Sequence, residues 1–164
     1  QNRGETDIEF LIYGDGTERQ ELEKSCRDQG LTNIVFKGRI EKKYIPYVLS
    51  KSSLNLLNYK QSSTWKYGGS QNKQFEYLAS GRPICSNVKM GHSIIEHYQC
   101  GLERNMSTVE EYIETILYYK EMKNEEYEQQ CKNALLAAKE FDYIQLAGNV
   151  EKILVKAQSS CLRS

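Results

Sequence analysis

The chain has 164 residues, of which 39% are hydrophobic and 27% charged, and this composition is typical of a globular protein with one ordinary core. Its 22 basic residues match its 22 acidic residues, whereas a general nucleic-acid-binding protein usually has a basic excess, so nucleic acid is not an expected partner. No apolar run is long enough to span a bilayer, and the five cysteines form no C-x-x-C pair, so we expect no disulfide framework, no zinc site and a reducing, cytoplasmic compartment.

Short apolar runs alternate with helical segments from residue 8 to about residue 102. The first run, 8–13, is predicted to be a buried strand that ends at the turn Gly14-Asp15-Gly16. Further strands are predicted at 33–36, 54–57, 83–86 and near 101–102, with helices at 17–29, 41–52, 71–80 and 93–97. Because parallel strands covered by helices are apolar on both faces, this alternation predicts an α/β fold with a Rossmann-like parallel sheet and helices on both faces.

The remainder, 103–164, is predicted to be a mainly helical tail that packs on the sheet, so that 1–164 forms a single domain. Ser107 and Glu110 have the spacing of a capping box, which predicts a helix from there to about residue 123. A second helix is expected at 125–140, and a third is expected to begin at Asp142 as its N-cap. The chain starts with Gln1 and enters a strand within a few residues, so we expect it to be a piece of a longer protein.

Ligands of open parallel sheets bind at the carboxyl ends of the strands. The segments that follow the predicted strands are Gly14–Gly16, Gly38–Ile40, 58–70 and Ser86–Gly91, and we expect them at one edge of the sheet. Gly14 and Gly16 are weak candidates for a phosphate contact, since a tight turn explains them as well. His92 is a candidate for touching a ligand because it lies on the same edge.

The most informative stretch is 68–83, where a glycine-containing loop leads into a helix. Free amides at a helix start can hold an anion, and Gly68 and Gly69 would let a ligand approach the backbone closely. Lys73 lies in the first turn, where its ammonium could pair with phosphate, and Glu76 follows on the same helix face. The opposite face carries Phe75, Leu78 and Ala79, which are expected to pack on the sheet.

An alternative is that Lys73 and Glu76 form only a solvated ion pair, worth about 0.2–0.5 kcal/mol. The helix dipole disfavours a lysine at the N-terminus of a helix unless an anion is close. The position of Lys73 therefore favours a ligand site over the ion pair.

Four segments together resemble the C-terminal domain of retaining glycosyltransferases of the GT-B fold, in family 4. LIYGDGTERQELE (11–23) is similar to the family's strand, Gly-x-Gly turn and helix, and NIVFKGRI (33–40) to its next strand and glycine. NKQFEYLASGRPI (72–84) resembles its lysine-containing helix with an acidic residue and a Gly-x-Pro strand entry, and GHSIIE (91–96) its glycine loop and short helix. The order and spacing hold from about residue 8 to about residue 102.

The resemblance implies roles for individual residues. Lys73 matches the basic residue at the donor diphosphate, and Glu76 matches the glutamate that binds the nucleotide ribose. The backbone at Arg39 and Ile40 matches the segment that meets the base. Amides facing the phosphates or the donor sugar are matched by those around Ser70, Gln71 and Asn72, next to Gly69.

The resemblance also implies the reaction, which moves a sugar from a nucleotide diphosphate, most commonly UDP, to a hydroxyl with retention of configuration. The nucleotide sugar is the substrate, so no cofactor and no essential metal are expected. Gly68 stands where the family often has another glutamate near the donor sugar, which leaves the sugar open. The family's first strand of this domain and its N-terminal acceptor domain are not in the sequence, so we expect the acceptor domain as a partner and no activity from this chain alone.

Two alternatives stay open at this point, a non-catalytic nucleotide-binding or regulatory Rossmann-like module and a sugar-nucleotide epimerase domain. The pathway expected for a transferase is surface or capsular polysaccharide synthesis, because such enzymes commonly serve it. The full-length enzyme could associate peripherally with the inner face of the membrane.

Overall fold

The computed structural model describes residues 4–5 and 7–161, without the side chains of 160 and 161. Five strands occur in this part of the chain: β1 (Phe10–Tyr13), β2 (Ile34–Gly38), β3 (Asn55–Leu57), β4 (Ile84–Ser86) and β5 (Gly101–Glu103). The α-helices of the same part are α1 (Arg19–Asp28), α2 (Ile45–Ser50), α3 (Asn72–Ala79), α4 (Ile94–Tyr98), α5 (Val109–Glu121), α6 (Asn124–Glu140) and α7 (Tyr143–Cys161). The predicted helix 41–52 is instead a 3-10 turn, Lys42–Tyr44, followed by the shorter α2.

Every strand pair is parallel, as predicted, but the strands form two sheets instead of one. β1 pairs with β2, and β3, β4 and β5 form a three-stranded sheet in that order. Residue contacts likewise divide the chain into two compact units, one up to Ile45 and one from Pro46 onward. The α/β class with parallel sheets and flanking helices is confirmed, and the single-domain organisation stays a prediction.

The first unit contains β1, β2 and α1. Its strand β1 was expected to be buried, and that expectation is wrong, because Leu11 and Ile12 are 45% and 41% exposed. The reason is that β1 pairs with one strand only among the described residues, so the apolar run has little cover. Arg19 of α1 pairs with Asp15 and Glu23 through Nη1 and Nε, at 3.3 and 2.7 Å.

The second unit has a well-formed core around β4, whose three residues are all buried. Leu78 of α3 and Ala134 and Ala137 of α6 are completely buried in the same cluster as Ile84. A second cluster joins Cys85, Met106 and Tyr119. Both faces of β4 are therefore covered, and this packing holds α3 against the sheet.

The helical tail begins with a capping box one residue later than predicted. The Thr108 hydroxyl accepts the amide hydrogen of Glu111, and the Glu111 carboxylate accepts the amides of Thr108 and Ser107. Asp142 caps the last helix as expected, its carboxylate accepting the Ile144 amide at 2.8 Å. No helix in the described part of the chain is both long and apolar enough to cross a membrane.

Candidate functional site

Helix α3 begins behind two adjacent glycines, as the sequence predicted. Gly68 has φ +92°, a conformation that side chains rarely adopt, and a Cβ there would lie 2.8 Å from the Gly91 carbonyl oxygen. Gln71 occupies the N-cap position without a side-chain hydrogen bond to the helix. Since the first amides of a helix have no partner within it, the amides that follow Gly69 and Ser70 form a donor-rich junction without a side-chain cap.

The two charged candidates of α3 lie away from its buried face. Lys73 is exposed and Glu76 half-buried, while Gln74 and Leu78 are buried, with 4% and 0% exposure. Among the described residues no ion pair joins Lys73 to Glu76, so the alternative explanation of these two residues as a solvated ion pair is not supported. Ala79, which was expected to pack on the sheet, is exposed, and Gln74 takes a buried position because it lies one turn before Leu78.

The loop after β4 touches the loop before α3 through the main chain. The Gly91 amide donates to the Trp65 carbonyl oxygen at 2.8 Å, and the Gly68 amide donates to the same oxygen at 2.9 Å. A Cβ on Gly91 would lie only 2.0 Å from the Lys66 carbonyl oxygen, so this contact needs glycine. His92, the histidine candidate, follows Gly91 with φ +56° and an exposed side chain.

A buried carboxylate that sequence analysis missed lies behind this loop. Glu103, at the end of β5, is 4% exposed and accepts hydrogen bonds from the Met90 amide and from the Ser93 hydroxyl, the latter at 2.8 Å. Ser93 also caps α4 by accepting the Glu96 amide at 3.1 Å. Burial raises the pKa of the Glu103 carboxyl, and the two hydrogen bonds counteract part of that rise.

Aromatic side chains support the loop before α3. The rings of Trp65 and Tyr59 are 5.1 Å apart between centroids, and the Trp65 indole donates to the Lys60 carbonyl oxygen at 2.9 Å. Tyr59 is tied to the end of β4, since its amide donates to Asn87 Oδ1 at 2.8 Å and its carbonyl accepts from Asn87 Nδ2 at 3.0 Å. This loop is therefore anchored at both of its ends.

The remaining candidates, Gly14, Gly16, Arg39 and Ile40, belong to the first unit. The Gly14 amide donates to the Gly38 carbonyl oxygen at 2.9 Å, which joins the two strand ends that were predicted to lie side by side. Arg39 is exposed and Ile40 half-buried. The structure thus brings together two groups of candidates, one within each unit.

Two kinds of chemistry find no support in the described residues. No group of three histidine, cysteine, aspartate or glutamate side chains is arranged there to hold a metal ion. Burial raises the pKa of the Cys85 and Cys100 thiols to about 12, so neither is a thiolate at neutral pH.

The family model described as "Glycosyl transferases group 1" matches residues 1–121. No curated protein matches the chain. Among solved structures, the complex of Anabaena HepE with UDP-glucose is similar at 18% identity and a TM-score of 0.73, over 94% of this chain and 42% of that one. The complex of HepE with UDP and glucose gives 17% and 0.71 over the same shares, and the GtfA/B complex gives 14% and 0.71 over 93% of this chain and 30% of that one.

These likenesses show the fold of the chain. The chain spans less than half the length of the HepE chain, 42%.

Proposed function

The chain belongs to the glycosyl transferases group 1 family, and on that premise we propose that it is the donor half of a retaining GT-B glycosyltransferase, which binds a nucleotide diphosphate sugar. The family assignment favours a transferase over a regulatory module and over an epimerase. HepE, which has a similar fold, has been solved in complex with UDP-glucose and with UDP. This supports a UDP-linked donor for the present chain.

The observation that carries the proposal is the junction at the start of α3. Its Gly68 backbone is in the left-handed region, its N-cap residue Gln71 leaves the helix amides without a side-chain acceptor, and no ion pair with a described carboxylate occupies Lys73. Amides with the helix dipole behind them attract an anion, and the lysine adds a full positive charge. A diphosphate has the charge and the acceptor oxygens that this junction lacks.

Lys73 is proposed to contact the diphosphate. The negative charge of the leaving diphosphate grows as its bond to the sugar breaks, so a cation fixed there stabilises the transition state more than the ground state. Amides of Ser70, Gln71 and Asn72 are proposed to contribute in the same way, with Gly69 giving close access. This chemistry needs neither a cofactor nor a metal ion from the protein.

Glu76 is proposed to accept hydrogen bonds from the ribose hydroxyls. It lies three residues after Lys73 and is half-buried, which lowers the competition from water for its carboxylate. Arg39 and Ile40 are proposed to meet the base, and Gly14, Gly16 and His92 are further candidates for contacts with the donor. The assignments of Arg39 and Ile40 rest on the resemblance, and those of Gly14, Gly16 and His92 rest on their positions after predicted strands.

The proposal extends to the setting of the whole enzyme. An acceptor-binding domain of the same enzyme is the expected partner, and this chain alone is expected to transfer no sugar, of hexosyl or other type. Surface or capsular polysaccharide synthesis in the cytoplasm, with peripheral attachment of the whole enzyme to the membrane, is the proposed context.

The proposal is tested by NMR titration of this chain with UDP and with uridine. We expect UDP to shift the amides of Ser70 to Lys73, and uridine to shift them less because it has no phosphate. The titration is repeated with Lys73→Ala and with the matched control Lys66→Ala. Lys66 is an exposed lysine of the loop before α3, and its Nζ lies 4.9 Å from the centroid of the Tyr67 ring. The assignment would be rejected if UDP shifted only amides of α5, α6 and α7. It would also be rejected if Lys66→Ala and Lys73→Ala reduced the UDP-induced shifts equally.

A further inference from the structure

We propose that Glu103 is a positioning residue that fixes the loop 88–93 and, through it, the glycine loop that leads into α3. The inference rests on the proposed function, because the loop it positions carries the proposed diphosphate amides. No contact between Glu103 and the ligand is involved.

The first step is the hold of Glu103 on the loop 88–93. Its Oε1 accepts the Met90 amide and its Oε2 accepts the Ser93 hydroxyl, so one carboxylate ties the middle of the loop to its end. Ser93 in turn caps α4. A buried carboxylate is costly unless it is hydrogen-bonded, so replacing it or its partners should release the loop.

The second step is the contact of this loop with the glycine loop. A Cβ on Gly69 would lie 3.0 Å from the Met90 sulfur, so the residue whose amide Glu103 holds packs directly on Gly69. The Gly91 amide bonds to the Trp65 carbonyl, and the Gly91 carbonyl lies against Gly68. Three contacts therefore transmit the position of the loop 88–93 to the entry of α3.

The consequence is a preorganised set of amide donors. Hydrogen-bond donors that are already fixed where charge develops need no reorganisation when the ligand binds or reacts. If release of the loop leaves the binding arrangement populated about one tenth of the time, the apparent Kd rises about tenfold.

The first experiment follows the ligand-free protein by NMR across a pH series. The Glu103 carboxyl carbon reports its own titration, and we expect the amides of Met90, Gly68 and Gly69 to shift with the same pKa. The other ionisable groups that act on this carboxyl are Lys89 and Glu96, and its charge also acts on Tyr59 and Cys100.

The control is Glu96→Gln, which removes a nearby exposed carboxylate that pairs with Lys89 at 2.8 Å. The shared titration should persist in this variant. If Met90 follows Glu103 while Gly68 and Gly69 do not, the transmission between the loops is refuted. This experiment uses the unmutated protein, so it decides the question even if a Glu103 variant does not fold.

The second experiment measures the Kd for UDP in the wild type, Glu103→Gln and Glu96→Gln. We expect Glu103→Gln to raise the Kd about three- to tenfold and to speed hydrogen exchange of the Met90 amide, with Glu96→Gln within twofold of the wild type. An unchanged Kd in a folded Glu103→Gln protein overturns the positioning role. If the wild type itself does not bind UDP, the proposed function fails, and the titration still shows whether Glu103 holds the glycine loop.

Discussion

Replacement of Gly91 by alanine is the sharpest test of the contact between the two loops. The added Cβ would lie 2.0 Å from the Lys66 carbonyl oxygen and 2.8 Å from its carbon, both backbone atoms that cannot rotate away. Cβ contacts under 3.0 Å essentially never occur, so the two loops must separate. That movement breaks or weakens the hydrogen bond from the Gly91 amide to the Trp65 carbonyl, which is 2.8 Å long.

The magnitude follows from these two losses. Overpacking of a tight contact costs about 1–3 kcal/mol, and a lost hydrogen bond costs about 0.5–1.5 kcal/mol. We therefore expect Gly91→Ala to lower the free energy of unfolding of the second unit by roughly 2–4 kcal/mol. The assay is urea unfolding followed by the fluorescence of Trp65, the single tryptophan of the chain, which lies in the loop concerned.

A matched control is Gly148→Ala in α7, where an added Cβ meets nothing within 4 Å. If Gly91→Ala changes the unfolding free energy no more than this control does, or leaves the amide shift of Gly68 unaltered, the described contact between the loops is wrong.

Three further changes test other parts of the account. Thr108→Ala should lower the unfolding free energy by about 1 kcal/mol through loss of the cap of α5, whereas Ser107→Ala should change it little. If urea unfolding showed a larger loss for Ser107→Ala than for Thr108→Ala, the capping box of Ser107 and Glu110 would be favoured instead. Burial raises the pKa of Glu103, so the folded state binds the proton more tightly than the unfolded chain, and the stability that this group contributes is full below its ordinary pKa and lost as pH rises through the raised value. Glu103→Gln should therefore gain in stability relative to the wild type as pH rises through that window, and a difference independent of pH contradicts the assignment. Gly148→Ala should raise the unfolding free energy by up to about 1 kcal/mol if α7 is stably helical, and a destabilised variant in the same assay would argue against that helix.

Much of the fold could be predicted because the local patterns are strong. The apolar run around Leu56 and the run around Ile84 became parallel strands, and the glycine loop before Asn72 opened a helix as expected. The number of sheets could not be predicted, because alternation of strands and helices does not say which strands share hydrogen bonds. Leu11 and Ile12 were expected in the core because they belong to an apolar run. An apolar run has the same sequence pattern whether or not other elements pack against it, so the pattern does not give its burial.

One part of the candidate site could be predicted from the sequence and another could not. The entry of α3 was predictable from the glycines and from Lys73, whose chemistry is local to one loop and one turn of helix. Glu103 was not recognised, although a glutamate at the end of the three-residue strand Gly101–Glu103 was a signal, since a charge in a short buried strand needs a partner. Its partners, Met90 and Ser93, lie 13 and 10 residues earlier, on the other side of α4 in sequence, and only tertiary structure brings them to it.

The central claim is that the start of α3 binds a nucleoside diphosphate, with Lys73 on the phosphates and Glu76 on the ribose. It is tested most directly by the Kd of UDP and of uridine in the wild type, Lys73→Ala and Glu76→Gln. An exposed lysine acting on nearby phosphate charges contributes about 1–2 kcal/mol in water, so we expect Lys73→Ala to weaken UDP roughly five- to thirtyfold and uridine less than twofold.

Glu76→Gln should weaken both ligands, because both contain the ribose, by about 1.5–3 kcal/mol for a charged hydrogen bond. The predicted result is thus a selective loss of UDP binding in one variant and a common loss in the other. Equal effects of the two substitutions on UDP, with uridine unaffected by either, would contradict the account.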